Sequence, residues 1–135
     1  MHFIDTNIFI RHFTNDNEKK AEACFLLFKN AKENKLELTT TESIIAEVVY
    51  VLSSKKLYNV PRKQIFNLLT TILSIKNFKV KDKTIYLKAL ELYSSHTIDF
   101  EDALLASRML IEETYELYSY DEGFDTIPGV KRTLP

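Results

Sequence analysis

A chain of 135 residues with 45% hydrophobic side chains has the size of one compact domain and enough apolar material for one core, so a single domain over residues 1–135 is expected. With 27% charged residues, two Gly and three Pro it lacks the composition of a disordered chain, and a formal net charge of -1 excludes coating of nucleic acid through a global positive field. A lone Cys24 excludes an internal disulfide and a cysteine-based zinc cage, and the opening MHFIDTN has neither a basic leader nor a long apolar run, which predicts a soluble cytoplasmic protein with no membrane association.

Along the chain, His2-Phe3-Ile4 reads as a short buried strand that runs into a turn at Asp5-Thr6-Asn7. Residues 18–33 repeat Ala21, Cys24, Phe25, Phe28 and Ala31 at helical spacing behind an Asn-Asp-Asn cluster able to cap a helix. A second short strand is expected at Leu36 to Thr39. Thr41 to Lys55 places Ile44, Ile45, Val48, Val49 and Leu52 on one helical stripe, and Pro61 opens a further helix with Ile65, Leu68, Leu69, Ile72 and Leu73 on its apolar face. Asn77 to Lys81 is a candidate strand, Thr84 to Ser95 and Asp99 to Glu112 are helices, and Tyr115 to Tyr120 is a strand ending at Asp121. After Pro128-Gly129, Val130 to Thr133 closes the chain as a last strand. Strands alternating with helices define an α/β chain with a parallel sheet and helices on both faces.

In open α/β sheets ligands collect at the carboxyl ends of strands, where Asp5 and Asp121 stand. Each alone is equally a turn residue bonding nearby backbone N–H groups. Asp102 differs, because on a helical wheel it falls beside Leu105, Ala106 and Met109 while Glu101, Arg108 and Glu112 gather on the polar side. A carboxylate in an apolar arc needs a cation, a hydrogen-bond network or a raised pKa. The competing role is helix capping, with Asp99 as N-cap and Asp102 at the third helical position. Glu47, on the flank of the Ile44-Val48-Val51-Leu52 stripe, is by itself an ordinary boundary glutamate. His2, His12 and His96 lack zinc-ligand spacing, Lys79, Lys81 and Lys83 suit the solvated face of an edge strand with phosphate contact as the alternative, and most of the aromatic residues belong to the core, base stacking by one or two being the alternative.

The segments FIDTNIFI, TTTESIIAEVVYVL, IDFEDALLAS and YSYDEGFDTIPGV, taken in this order, resemble the PIN domain, and in particular VapC-type toxin ribonucleases, over nearly the whole chain. The resemblance implies a three-layer α/β/α fold with a central, mostly parallel sheet of four to five strands. It implies an acidic quartet at Asp5, Glu47, Asp102 and Asp121, with Asn7, Asp99, Ser119 and Asp125 in supporting roles. Ser119-Tyr120 departs from the Thr and apolar residue common before the last aspartate, although Ser119 keeps a hydroxyl.

Four converging carboxylates repel one another unless protonated or bridged by metal, and all-oxygen ligands favour Mg²⁺ or Mn²⁺ over Zn²⁺. Asp5 and Asp102 are expected to hold the principal ion, with Glu47 and Asp121 binding directly or through water. The implied activity is that of an endoribonuclease cutting structured RNA such as tRNA or rRNA, with a small antitoxin protein as partner and a homodimer as the assembly. The helices around Ile44 to Leu52 and Ile65 to Leu73 are candidates for those surfaces, their alternative role being core. The alternative function is a catalytically silent PIN-like module that binds RNA or protein.

Overall fold

The computed structural model describes residues 1–135, and the chain divides into two compact units, Met1–Lys83 and Thr84–Pro135. In the first, β1 (His2–Phe3) and β2 (Leu38–Thr39) pair in parallel, His2 opposite Leu38 and Phe3 opposite Thr39. A backbone bond from the Ile4 N–H to the Thr39 carbonyl at 2.9 Å and a side-chain bond from the buried Thr40 hydroxyl to the Ile4 carbonyl at 2.8 Å carry the pairing past the strand ends.

The strand expected at Asn77 to Lys81 contracts to one parallel bridge between Phe78 and Leu38. A turn bond from the Phe78 N–H to the Ile75 carbonyl precedes it, and Asp82 at φ +60° turns the chain soon after, leaving no room for a longer ladder. What remains is well anchored. The Asn77 side chain donates to the Ala31 carbonyl at 3.0 Å and to the Asn34 side chain at 2.7 Å.

Asp5 is followed by a helix, α1 (Thr6–Phe13), where the sequence reading places a turn. The same side-chain chemistry serves both outcomes: the Asp5 carboxylate accepts the Asn7 N–H at 3.1 Å, which is an N-cap bond when helix follows. α2 (Glu18–Lys32) begins as expected, with Asn17 accepting the Lys20 N–H at 2.9 Å. α1 and α2 meet through rings, Phe9 against Phe28 at 6.0 Å and His12 against Phe28 at 4.7 Å, with Phe78 standing edge-on to Phe9 at 5.9 Å. Burying aromatic rings of this size contributes on the order of 2–3 kcal/mol each.

α3 (Glu42–Ser53), capped by Thr41, buries Ile45, Val48, Val49 and Leu52, and α4 (Arg62–Leu73), entered through Pro61, buries Ile65, Leu69, Ile72 and Leu73. Most of the two apolar stripes is therefore buried rather than left open for a partner.

In the second unit α5 (Lys83–Ser95), whose first residue belongs to the unit before, is joined to α6 (Phe100–Ile111) by the buried Ser107 hydroxyl donating to the Ile85 carbonyl at 2.7 Å and by Tyr93 edge-on to Phe100 at 5.9 Å. β3 (Glu116–Tyr118) and β4 (Lys131–Thr133) pair in parallel, and a 3-10 turn over Glu122–Thr126 lies between them in sequence. Gly129, at φ +94°, completes the return. A Cβ there would lie 2.9 Å from the Leu110 side chain, so both conformation and space call for glycine.

Strand pairing is parallel throughout, as expected of the class. The strands are only two or three residues long and hydrogen-bond as two pairs plus the Phe78 bridge, because the chain leaves β1 and β2 for helix caps almost at once. No helix is long and apolar enough to cross a membrane.

Candidate active site: two pairs of acids

The first pair belongs to the first unit. Asp5 sits where the chain leaves β1 and caps α1, and Asn7 meets it through its backbone N–H. Between them Thr6, only 9% exposed, donates its hydroxyl to the Glu47 carboxylate at 2.8 Å. Glu47 is solvent-exposed on α3, so this bond is what ties it to the chain segment that carries Asp5. Reading the sequence alone passes over Thr6. The only available signal is a hydroxyl residue in the first turn of an amphipathic helix, next to an acid.

The second pair belongs to the second unit. Asp102 occupies the third position of α6 and is half-buried. Its carboxyl is pushed up from the ordinary aspartate range, first by burial and then by the nearby charges of Asp121, Asp99 and Glu101, and it hydrogen-bonds with Asp121. Two carboxyl groups in contact share a proton or need a cation. Asp99 stands at the N-cap position without a side-chain cap bond, so its carboxylate adds charge near Asp102 rather than closing the helix end. The apolar arc expected around Asp102 is only partly realised: Ala106 and Met109 are buried, but Leu105 is 43% exposed, which places Asp102 at the rim of the buried face.

Asp121 is held by its own loop. Its N–H donates to the Ser119 hydroxyl at 3.0 Å and its carboxylate accepts the Gly123 N–H at 2.8 Å. A Cβ at residue 123 would sit 3.0 Å from that carboxylate oxygen, so the tight approach depends on glycine. Asp125 grips Arg132 in a two-pronged pair, both contacts 3.0 Å, and Arg132 donates a third bond to the Ser119 carbonyl at 3.1 Å. The guanidinium holds the Asp125 carboxyl below its usual range. Asp125 thus reaches the loop of Asp121 through Arg132, a residue without a recognisable signal in the sequence because its partners are defined only when β3 and β4 pair.

Within neither unit do three or more His, Cys, Asp or Glu side chains gather closely enough to hold a metal ion. The donor set is nevertheless all oxygen, and the Asp102–Asp121 contact is the arrangement whose repulsion a hard divalent cation relieves, so these residues fit such an ion.

Over residues 2–130 the chain matches the PIN domain family. It belongs to that family, and its fold is of the family's three-layer α/β/α class. It is also similar to the VapC ribonuclease of Aquifex aeolicus (strain VF5), with 27% identity over 135 residues, covering 100% of this chain and 97% of the relative.

Proposed function

We propose that this protein is a divalent-metal-dependent endoribonuclease, the toxin of a toxin–antitoxin pair, that cuts structured RNA such as tRNA or rRNA. The observation that carries the reading is the closeness of the Asp102 and Asp121 carboxyl groups, two acids whose charges oppose each other, in a chain similar over its full length to a ribonuclease. In this reading Asp5 and Asp102 are the principal metal ligands, and Glu47 and Asp121 bind directly or through water. Mg²⁺ or Mn²⁺ suits four carboxylates, and when bound it supplies an acidified water and offsets charge on the phosphate oxygens.

The protein's own part is to present these carboxylates in fixed positions. Thr6 holds Glu47, Ser119 and Gly123 hold Asp121, and the Asn7 N–H orients Asp5. The raised Asp102 pKa means that the carboxylate form becomes more available to a cation as pH rises, so cleavage should rise with pH through the raised Asp102 range. A small antitoxin, a homodimer and a cytoplasmic location complete the proposal.

The test is cleavage of total RNA with mapped ends, in Mg²⁺ or Mn²⁺ against EDTA. Folded Asp5→Asn and Asp102→Asn variants that cut as well as the parent would sink the assignment. A second reading is a catalytically silent PIN-like module that binds RNA or protein. Under it the parent binds RNA but leaves it intact at every metal concentration. Light scattering that finds only monomer at micromolar concentration would count against the dimer.

A further inference from the structure

The near-neutral net charge conceals a strong division. Residues 1–83 carry fourteen Lys and Arg against nine Asp and Glu, a charge of +5, and residues 84–135 carry four against ten, a charge of -6. Between Glu47 and Asp82 the sequence contains seven Lys or Arg and no acid at all. An ordinary solvated surface mixes the two signs, so a one-signed run of this length asks for an external anion.

Its densest part is the corner between α3 and α4, where Lys55, Lys56, Arg62 and Lys63 fall within nine residues. The corner is rigid. The Leu57 and Asn59 N–H groups both bond the Ser54 carbonyl, at 3.0 and 2.9 Å, and the Val60 N–H bonds the Leu52 carbonyl at 2.8 Å. Tyr58 ties it to the α1–α2 connection through a hydrogen bond to Asp16. Lys55, Lys56 and Lys63 are exposed and enter no ion pair, in contrast to Lys79, which pairs with Glu37 at 2.9 Å. The helix dipole gives no reason for Lys63, since a cation in a first helical turn opposes it.

We infer that the α3–α4 corner, through Lys55, Lys56 and Lys63, is a binding surface for the phosphate backbone of RNA. The inference rests on the ribonuclease reading for the identity of the polyanion. Position supports it: the corner begins at the end of α3, the helix that carries Glu47, about 9 Å along its axis from that acid. It also explains how a protein of net charge -1 holds a polyanion, because the attraction is local to the basic unit.

The test is binding of fluorescein-labelled oligo(U) in EDTA, read by anisotropy over a salt series from about 50 to 200 mM. In a Lys55→Gln/Lys56→Gln/Lys63→Gln protein affinity should fall about tenfold or more, and the slope of log affinity against log salt should shrink by about 2. A Lys19→Gln/Lys20→Gln/Lys29→Gln protein, which removes the same charge from α2 of the same unit, should stay within about twofold. If the corner variant fails to fold, the three single substitutions should each lower the slope by about 0.7.

Parental affinity and slope in the corner variants, or equal losses in both triple variants, would overturn the inference. Because the readout is binding without metal, a parent that binds RNA at the corner but never cuts it refutes the nuclease reading alone.

Discussion

Replacing Thr6 by valine separates positioning from stability at the first acid pair. Valine keeps the shape and β-branching of threonine in a site only 9% exposed, so no cavity opens, and only the 2.8 Å bond to Glu47 is lost. A buried hydrogen bond to a charged group contributes about 1.5–3 kcal/mol, but the freed Glu47 carboxylate is exposed and water takes over as donor, which cuts the loss to about 0.5–1 kcal/mol. For a chain of this length that is a fall in Tm of roughly 1–5 °C. Glu47 meanwhile regains rotamer freedom of about 1.5 kcal/mol that must be given up again to bind metal or phosphate, so single-turnover cleavage should slow about tenfold. Thr6→Ser, which restores the donor, should recover most of the rate. The measurements are thermal unfolding by circular dichroism and single-turnover RNA cleavage in Mg²⁺. If Thr6→Val cuts at the parental rate while Glu47→Gln is inactive, Thr6 does not position Glu47 and the reasoning fails.

Three further outcomes are expected. Because the folded-state pKa of Asp102 is raised, its contribution to stability is lost as pH rises from the ordinary aspartate range through the raised value; Asp102→Asn should therefore raise the metal-free Tm at neutral pH while abolishing cleavage, and an unchanged or lower Tm would contradict the strained pair. The His12 pKa is lowered by burial and by Lys32, and its Nδ1 is buried without a hydrogen-bond partner, so the neutral ring is favoured in the fold. Stability linked to His12 is then present above pH 6.5 and lost as pH falls from there towards the depressed value, a dependence that denaturant titrations should find flattened in His12→Phe. Gly129→Ala, which meets both a φ of +94° and the Leu110 side chain at 2.9 Å, should cost about 1–3 kcal/mol by the same titration, whereas an ordinary surface substitution costs less than about 0.5.

The segments that could be read from sequence were those whose signal is local. α2, α3, α4, α5 and α6 follow from apolar residues recurring every three or four positions, and their starts at Asn17, Thr41 and Pro61 from capping and proline preferences. α1 was hidden because Asp5-Thr6-Asn7 satisfies the requirements of a turn and of a cap alike. The strand near Phe78 is shorter than the sequence predicts because its length depends on how much of β2 is available to pair. Leu105 falls in the apolar arc of a helical wheel yet is exposed, because the wheel gives direction but not what the helix packs against.

For the acids themselves, sequence alone determined type, order and placement on their elements: Asp5 after a strand, Glu47 within a helix, Asp102 in a first helical turn and Asp121 after a later strand. Those properties follow from neighbouring residues. The tertiary structure decided what each acid touches, Glu47 meeting Thr6 from 41 residues away and Asp102 meeting Asp121. It also made Arg132, by pairing β3 with β4, the brace between Asp125 and the Ser119 carbonyl. Hydrogen bonds of this kind need a distance of about 3 Å and a near-linear geometry, and only packing of distant segments sets those values.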